Sequence, residues 1–337
     1  MVCRLAMIAL AVLGSSTCAG RPPAARNLQM EDLTWVQVDA LDRERTVVIL
    51  PIGMVEQHGP HLPVGSDSFG VRYEAEKVAE RVSKEGWTVL MMPPLNYGHS
   101  GANNLGGRLS HPGTYAMRQS TLRSLVADLG AELARNRFKW IFVMNGHAAP
   151  SHHVAVNEAC DFVSETFHVS MQNVSGLLMA DQALQAESRK IAERHFTKDQ
   201  IASFGIDVHA GTAETSGMLA VRPDLVDPEY IRLPSRNGAS ISELRAHARA
   251  PGWQGYVSSP AQATAAYGRD VEEFWIDGMT RLIRAAVNGT GSSTTRARYP
   301  DALLTVPEVQ ELVRDVSAYE AASQASLETW LAQRKNR

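Results

Sequence analysis

The chain has 337 residues, 44% hydrophobic, 20% charged and 7% aromatic, which excludes a disordered or fibrous protein and is enough to build a large buried core. Lysine and arginine number 33 against 36 aspartates and glutamates, a formal charge of −3, so no basic excess exists to neutralise a run of phosphates and nucleic acid is excluded as a partner. The three cysteines, Cys3, Cys18 and a solitary Cys160, cannot form a disulfide framework.

Arg4 precedes an apolar run from Leu5 to Leu13, which gives way to the small residues Gly14 to Gly20. This order of charge, apolar core and small residues is that of a secretory signal peptide, and the run is too short to span a bilayer, which needs roughly 20 apolar residues. Residues 1–20 are read as a leader, with export to the periplasm or cell envelope as the consequence. Cys18 is either lipidated, giving a lipoprotein with a lipid anchor, or removed with the leader; Thr17 is a poor residue before lipoprotein cleavage. An N-terminal extension is expected over 21–44.

From Thr46 onward short apolar runs alternate with helical periodicity, the pattern of strands joined by crossover helices in a mainly parallel sheet. Strands are predicted at Val47–Leu50, Thr88–Met92, Trp140–Met144 and Val169–Val174. Between the first two, Val71, Ala75, Val78, Ala79 and Val82 fall on one helical stripe that Gly86 terminates, and between the second and third Leu122, Leu125, Val126, Leu129 and Leu133 make another. In such a sheet the catalytic groups gather at the C-terminal strand ends. Residues 98–107 are too rich in glycine and asparagine for a regular element and read as a functional loop. Residues 288–300 read as a linker, and Val309, Leu312, Val313 and Val316 as one face of a helical appendage over 301–337.

Three islands carry chemistry. Glu56, His58, His61 and Asp67 follow the first strand in a loop punctuated by glycine and proline; these oxygen and nitrogen donors without thiolate suit zinc, manganese or iron(II). The same loop also reads as a polar cap, with Asp67 or Ser68 as N-cap of the next helix. His147 stands at the tip of the third strand after Gly146, which would let the backbone turn sharply. His209 and Glu214 lie five residues apart in the third island, Asp207 to Ser216.

With EQHGPHLPVGSD at 56–67, PPLNYG at 93–98, PGT at 112–114, NGH at 145–147, HAGTAETS at 209–216 and GYVSSPAQAT at 255–264, the chain resembles the creatininase (creatinine amidohydrolase) family over roughly residues 45–285. The resemblance implies an α/β fold, three-layer α/β/α with a mainly parallel sheet, over a catalytic domain at 45–287. It also implies two divalent metal ions per chain and a homo-oligomer, often a hexamer. Carried over, Glu56, Asp67 and His147 hold one ion and His58, Asp67 and Glu214 the other, with Asp67 bridging. The implied reaction is hydrolysis of a C–N bond in a small, cyclic amide by metal-activated hydroxide. His209 is then the candidate acid that protonates the departing nitrogen, or else the partner that orients Glu214.

The sequence departs from the family pattern after NGH, where Ala148, Ala149 and Pro150 replace residues that in relatives include a glutamate ligand; Glu214 becomes the obvious second carboxylate. Asn103 and Asn104 occupy a region where relatives carry a histidine after a glutamate. His99 or His111 could replace that group at the substrate, or be exposed loop histidines, and Trp253 could lid the pocket or pack as an ordinary core residue. Two other functions compete: metal-dependent hydrolysis of a C–C bond in a cyclic polyol ketone, and a non-catalytic envelope binding protein that keeps the fold.

Overall fold

The structure, a computed structural model, describes residues 26–107, 111–290 and 298–335. The leader, with Cys3 and Cys18, and residues 291–297 of the expected linker lie outside the described residues. Five strands, β1 (Asn27–Gln29), β2 (Thr46–Ile52), β3 (Thr88–Met91), β4 (Trp140–Asn145) and β5 (Ser170–Asn173), form one sheet in the order β1-β3-β2-β4-β5. Every pairing is parallel. Four strands fall where the apolar runs predict them, each within two residues. The fifth, β1, lies inside the expected N-terminal extension, pairing Leu28 with Leu90 at the sheet edge; three residues, two of them polar, carry no apolar run to announce it.

The helices that matter for the site are α1 (Ser66–Ser83), α2 (Gln119–Arg135), α3 (Pro150–Phe167), α4 (Thr212–Val221), α5 (Ile241–Arg249), α6 (Ala265–Val287) and α7 (Pro307–Lys335). The alternation of a strand sends successive side chains to opposite faces, and both faces of this sheet are covered. Val47, Ile49, Val89, Met91, Phe142 and Met144 pack against Val71, Ala75, Val78 and Val82 of α1 and Ile276, Met279 and Ile283 of α6. Val48, Leu50, Leu90, Ile141 and Val143 pack against Leu122, Val126 and Leu133 of α2 and Ala155, Ala159 and Val163 of α3. All seven residues of β2 are buried, and at about 1.5–3 kcal/mol for each large apolar side chain this strand anchors the three layers. Among the described residues no helix is long and apolar enough to cross a membrane.

The order of the strands positions the site. From β2 the chain crosses to β3 on one side, and from β4 it crosses to β5 on the other. Right-handed crossovers in opposite directions must use opposite faces, as the split of α1 from α2 and α3 shows. The loops leaving β2 and β4 therefore diverge and open a crevice between the two strand ends, the usual ligand position in open α/β sheets.

One polar pair sits outside this logic. Glu74 of α1 and Glu272 of α6 are held above the ordinary carboxylate range, both by burial and Glu74 also by Glu272, which is itself pushed to about 7. Glu272 Oε2 has no hydrogen-bond partner among the described residues. A carboxyl that keeps its proton in the folded chain contributes stability that is full below its unfolded value of 4.5 and is lost as pH rises through about 7. Glu272→Gln is expected to melt higher than the parent at pH 8, on the order of 5 °C, with the difference vanishing near pH 4.5; melting curves across that range check it, and a constant offset would contradict it.

Candidate metal centre

The loop after β2 is folded tightly against the strand ends. The Glu56 N–H donates to the Val64 carbonyl (2.9 Å), and the Gln57 N–H to Thr114 Oγ1 (3.1 Å). The loop ends at Gly65, the N-cap of α1, so neither Asp67 nor Ser68 caps the helix. Asp67 instead lies in the first turn, where exposed backbone N–H groups and the helix dipole favour a carboxylate, and its side chain turns to the crevice. Glu214 occupies the first turn of α4 in the same way. Its Oε2 accepts the Ala210 N–H at 2.6 Å, and Ala210 has φ +50°, strained for a residue with a Cβ.

Asp67 faces two histidines with its two oxygens: Oδ1 lies 3.1 Å from His58 Nε2, and Oδ2 lies 3.0 Å from His147 Nδ1. Glu56 Oε1 is 3.0 Å from the same His147 nitrogen, and Glu214 Oε2 is 3.6 Å from His58 Nε2. Donor atoms of Glu56, Asp67 and His147 lie within 4.8 Å of one another, as do those of His58, Asp67 and Glu214, and of Glu56, His58 and His209. Glu56, His58, Asp67 and His147 are buried, while the Glu214 side chain is 38% exposed and marks the open side of the cluster.

These residues fit a divalent cation. His58 Nδ1 is 3.0 Å from the Glu56 carbonyl oxygen, which holds a proton there and makes Nε2, turned to two carboxylates, the atom that would meet a cation. Asp67 Oδ2 is buried and accepts no well-directed hydrogen bond among the described residues. Three carboxylates and two imidazoles around so small a volume need positive charge. Burial opposes charge on His58 and His147, yet Asp67 raises the first to about 10 and Glu56 raises the second well above its ordinary value. Protons on imidazoles thus supply the charge that metal ions would supply in their place.

His209 completes the cluster. Its Nε2 lies 2.7 Å from the Gln57 carbonyl oxygen, which fixes the proton there, and its Nδ1 faces Glu56 Oε1 at 3.8 Å. Burial lowers it to about 4, so the ring is neutral with a free lone pair on the site side.

The model of the family Creatininase, described as creatinine amidohydrolase, matches residues 31–283. The chain belongs to the creatininase family. It is 28% identical to creatinine amidohydrolase of Pseudomonas putida over 268 residues, 77% of this chain and 97% of the relative. It is 30% identical to a mycofactocin precursor peptide peptidase of Mycobacterium ulcerans over 249 residues, 70% and 84% of the two chains. A solved mutant creatininase of Zn-Zn type superposes with TM-score 0.60 at 27% identity, covering 78% of this chain and 99% of its own. A structure titled as the Mn creatininase does so with TM-score 0.59, also at 27% identity, covering 78% and 98%. Family members are metal-dependent amidohydrolases, and the sheet flanked by helices is the three-layer fold of these relatives.

Within this creatininase-family chain the remaining histidines take other places. His61 belongs to none of the three donor clusters, and its Nε2 lies 2.9 Å from Thr215 Oγ1. His99 is buried and not an exposed loop histidine, with Nε2 2.9 Å from Ser151 Oγ. His111 packs on the ring of Trp253 at 5.4 Å, and Trp253 is itself buried, its indole N–H donating to the Tyr256 carbonyl (2.8 Å). Both line a cavity of about 250 Å³ with Gly106, Ala248, Arg249, Ala250 and Gly252. Gly255 (φ +84°) lies between Gln57 and His111: a Cβ there would come within 2.1 Å of Gln57 Oε1 and 3.1 Å of the His111 ring.

Sequence reasoning missed Gln57, His152 and His153. Gln57 acts mainly through its backbone, which no residue-type signal reveals; the two histidines stand in the SHH run at the start of α3, which has no ligand spacing of its own. Gly146 has a different role from the expected sharp turn. It is not in the left-handed region; a Cβ there would lie 2.5 Å from the Asp67 carbonyl and 2.9 Å from Val71 Cβ. Gly146→Ala should therefore push the His147 loop off α1 and weaken metal binding at least about tenfold, with secondary structure retained, as read by metal titration and circular dichroism.

Proposed function

We propose that the protein is a binuclear hydrolase of a small, cyclic amide. Asp67 carries the reading, because its two oxygens face His58 and His147 on opposite sides, the arrangement of a carboxylate shared by two ions. Glu56, Asp67 and His147 would hold one ion and His58, Asp67 and Glu214 the other, with zinc, manganese or iron as candidates for these nitrogen and oxygen donors. Bound there, such ions supply Lewis acidity, making water acidic enough to attack near neutral pH and polarising an amide carbonyl.

The chain's own groups handle orientation and protons. The Gln57 carbonyl holds the His209 Nε2 proton, so Nδ1 is the atom that accepts a proton as the nucleophile forms and returns it to the departing nitrogen. Burial keeps that nitrogen unprotonated at rest, so acceptance comes before donation. The likeness to creatinine amidohydrolase of Pseudomonas putida supports a small, cyclic amide as substrate, and His111 and Trp253, which line a cavity of their own, are the candidate substrate-side residues. Export to the envelope, with or without a lipid on Cys18, and assembly into a homo-oligomer complete the proposal; the leader-like segment 1–20 supports the first and family membership the second.

Asp67→Ala is expected to lose both ions; two ions per chain retained on metal analysis would refute the shared carboxylate. His209→Ala is expected to keep its metal and lose turnover by about 10²–10⁴-fold, whereas loss of an ion would make His209 a ligand. Cyclic amides, formamides, short peptides and cyclic polyol ketones, assayed with and without chelator, decide the substrate class. Chelator-sensitive turnover confined to peptides or ketones would overturn the cyclic-amide reading.

A further inference from the structure

The match to the family model ends at residue 283, yet the chain beyond it returns to the metal centre. We propose that residues 298–320 clamp the start of α3 and so position His147, with Tyr299 and Glu320 as the two positioning residues. The proposal rests on the reading of Glu56, Asp67 and His147 as a metal site.

The loop that carries His147 has few side chains of its own to brace it, although His153 of α3 meets the His147 backbone. Ala148 and Ala149 contribute only methyl groups, Pro150 has no N–H, and Ala149, the N-cap of α3, provides no side-chain cap. The His147 N–H reaches Asn145 Oδ1 only at 3.4 Å. Tyr299 fills this gap, its hydroxyl donating to the Ala148 carbonyl at 2.6 Å, one residue from the ligand.

Tyr299 is well seated. Its N–H donates to the Gly176 carbonyl (3.3 Å), its carbonyl accepts from Asn157 Nδ2 (3.0 Å), and its ring meets His153 edge-on at 4.8 Å. Arg298 pairs with Asp161. His153, Asn157 and Asp161 stand four residues apart, so one stripe of α3 receives the segment.

The second arm comes from α7. Glu320 Oε1 accepts the Gln119 N–H (2.8 Å) and lies 2.8 Å from His99 Nδ1. That nitrogen also faces the Met117 carbonyl at 3.1 Å; with two acceptors it carries the proton, and His99 Nε2 accepts from the Ser151 hydroxyl. The His99 N–H donates to His152 Nδ1 (3.1 Å), and the His152 ring packs edge-on to His147 at 5.0 Å. Ser151 and His152 belong to the first turn of α3. Arg245 fixes α7 through Glu311 (3.1 Å) and Asp315 (3.0 Å). The helix start that follows His147 is thus gripped from both sides by a segment outside the family match, and partners of this kind set metal affinity by orienting the ligand.

The test compares Tyr299→Phe, which removes one hydroxyl and keeps the ring, with Glu320→Ala and Glu320→Gln. Zn²⁺ affinity is read by calorimetric titration; amide exchange over residues 146–153 and the melting temperature are read on metal-free protein. Tyr299→Phe and Glu320→Ala should each weaken Zn²⁺ binding about tenfold and speed exchange in that window only. Melting should stay within about 2 °C of the parent, and Glu320→Gln, whose amide oxygen accepts the same N–H groups, should restore the parent values. Unchanged exchange or affinity in both variants overturns the clamp, as does a general fall in melting temperature with exchange raised throughout. A parent chain that bound no Zn²⁺ would refute the metal reading, and the exchange window would still decide whether Tyr299 and Glu320 position His147.

Discussion

Asp67 is the constraint on which the site depends. A buried carboxylate is tolerated only beside positive charge, and Asp67 has a histidine against each oxygen, His58 on one side and His147 on the other. Those histidines belong to different islands of the sequence, one following β2 and one following β4. Their approach to a single side chain requires the two strand ends to be adjacent, α1 to begin at Ser66, and the His147 loop to pass close over the first turn of α1. Each requirement is met by a separate feature: the β2–β4 pairing, the cap at Gly65, and the missing Cβ of Gly146.

The same crowding explains the electrostatics. Glu56 and Asp67 are held below the ordinary carboxylate range against the cost of burial, Glu56 chiefly by His147 and Asp67 chiefly by His58. His209, a few ångströms away, is pushed the other way by burial, to about 4. One small volume therefore contains imidazoles with opposite tendencies, two tied to carboxylates and one left neutral and tethered through Gln57. Such divergence among neighbouring titratable groups is characteristic of functional sites.

Loss of the glutamate expected after NGH has a structural counterpart. Ala148 and Ala149 leave the loop after β4 with one candidate ligand, His147, and few side chains to brace it. The second carboxylate near His58 comes from Glu214 at the start of α4, held there by the strained backbone at Ala210. Support for the His147 loop comes from Tyr299 and, through His99 and His152, from Glu320. A segment that reads in the sequence as an appendage is joined by hydrogen bonds to the catalytic body.

Much was legible in the sequence because it is encoded locally. Apolar runs and helical stripes announced β2 to β5, α1 and α2, since burial on both sheet faces leaves a continuous hydrophobic signal, and the EQHGPHLPVGSD, NGH and HAGTAETS islands named five residues whose donor atoms cluster in the fold. Short or polar elements were not legible: β1 has no apolar run, and Gln57 works through its carbonyl, which every residue possesses. Nor could the sequence say that His61 turns to Thr215, that His99 is buried, or that Glu320 reaches a histidine more than two hundred residues earlier. Those outcomes depend on which surfaces meet once the sheet is assembled. Periodicity determined the fold class and the motifs shared with the family named the candidate ligands, while the crossover direction at β2 and β4 brought those side chains to one crevice and the docking of 298–320 set what packs behind it.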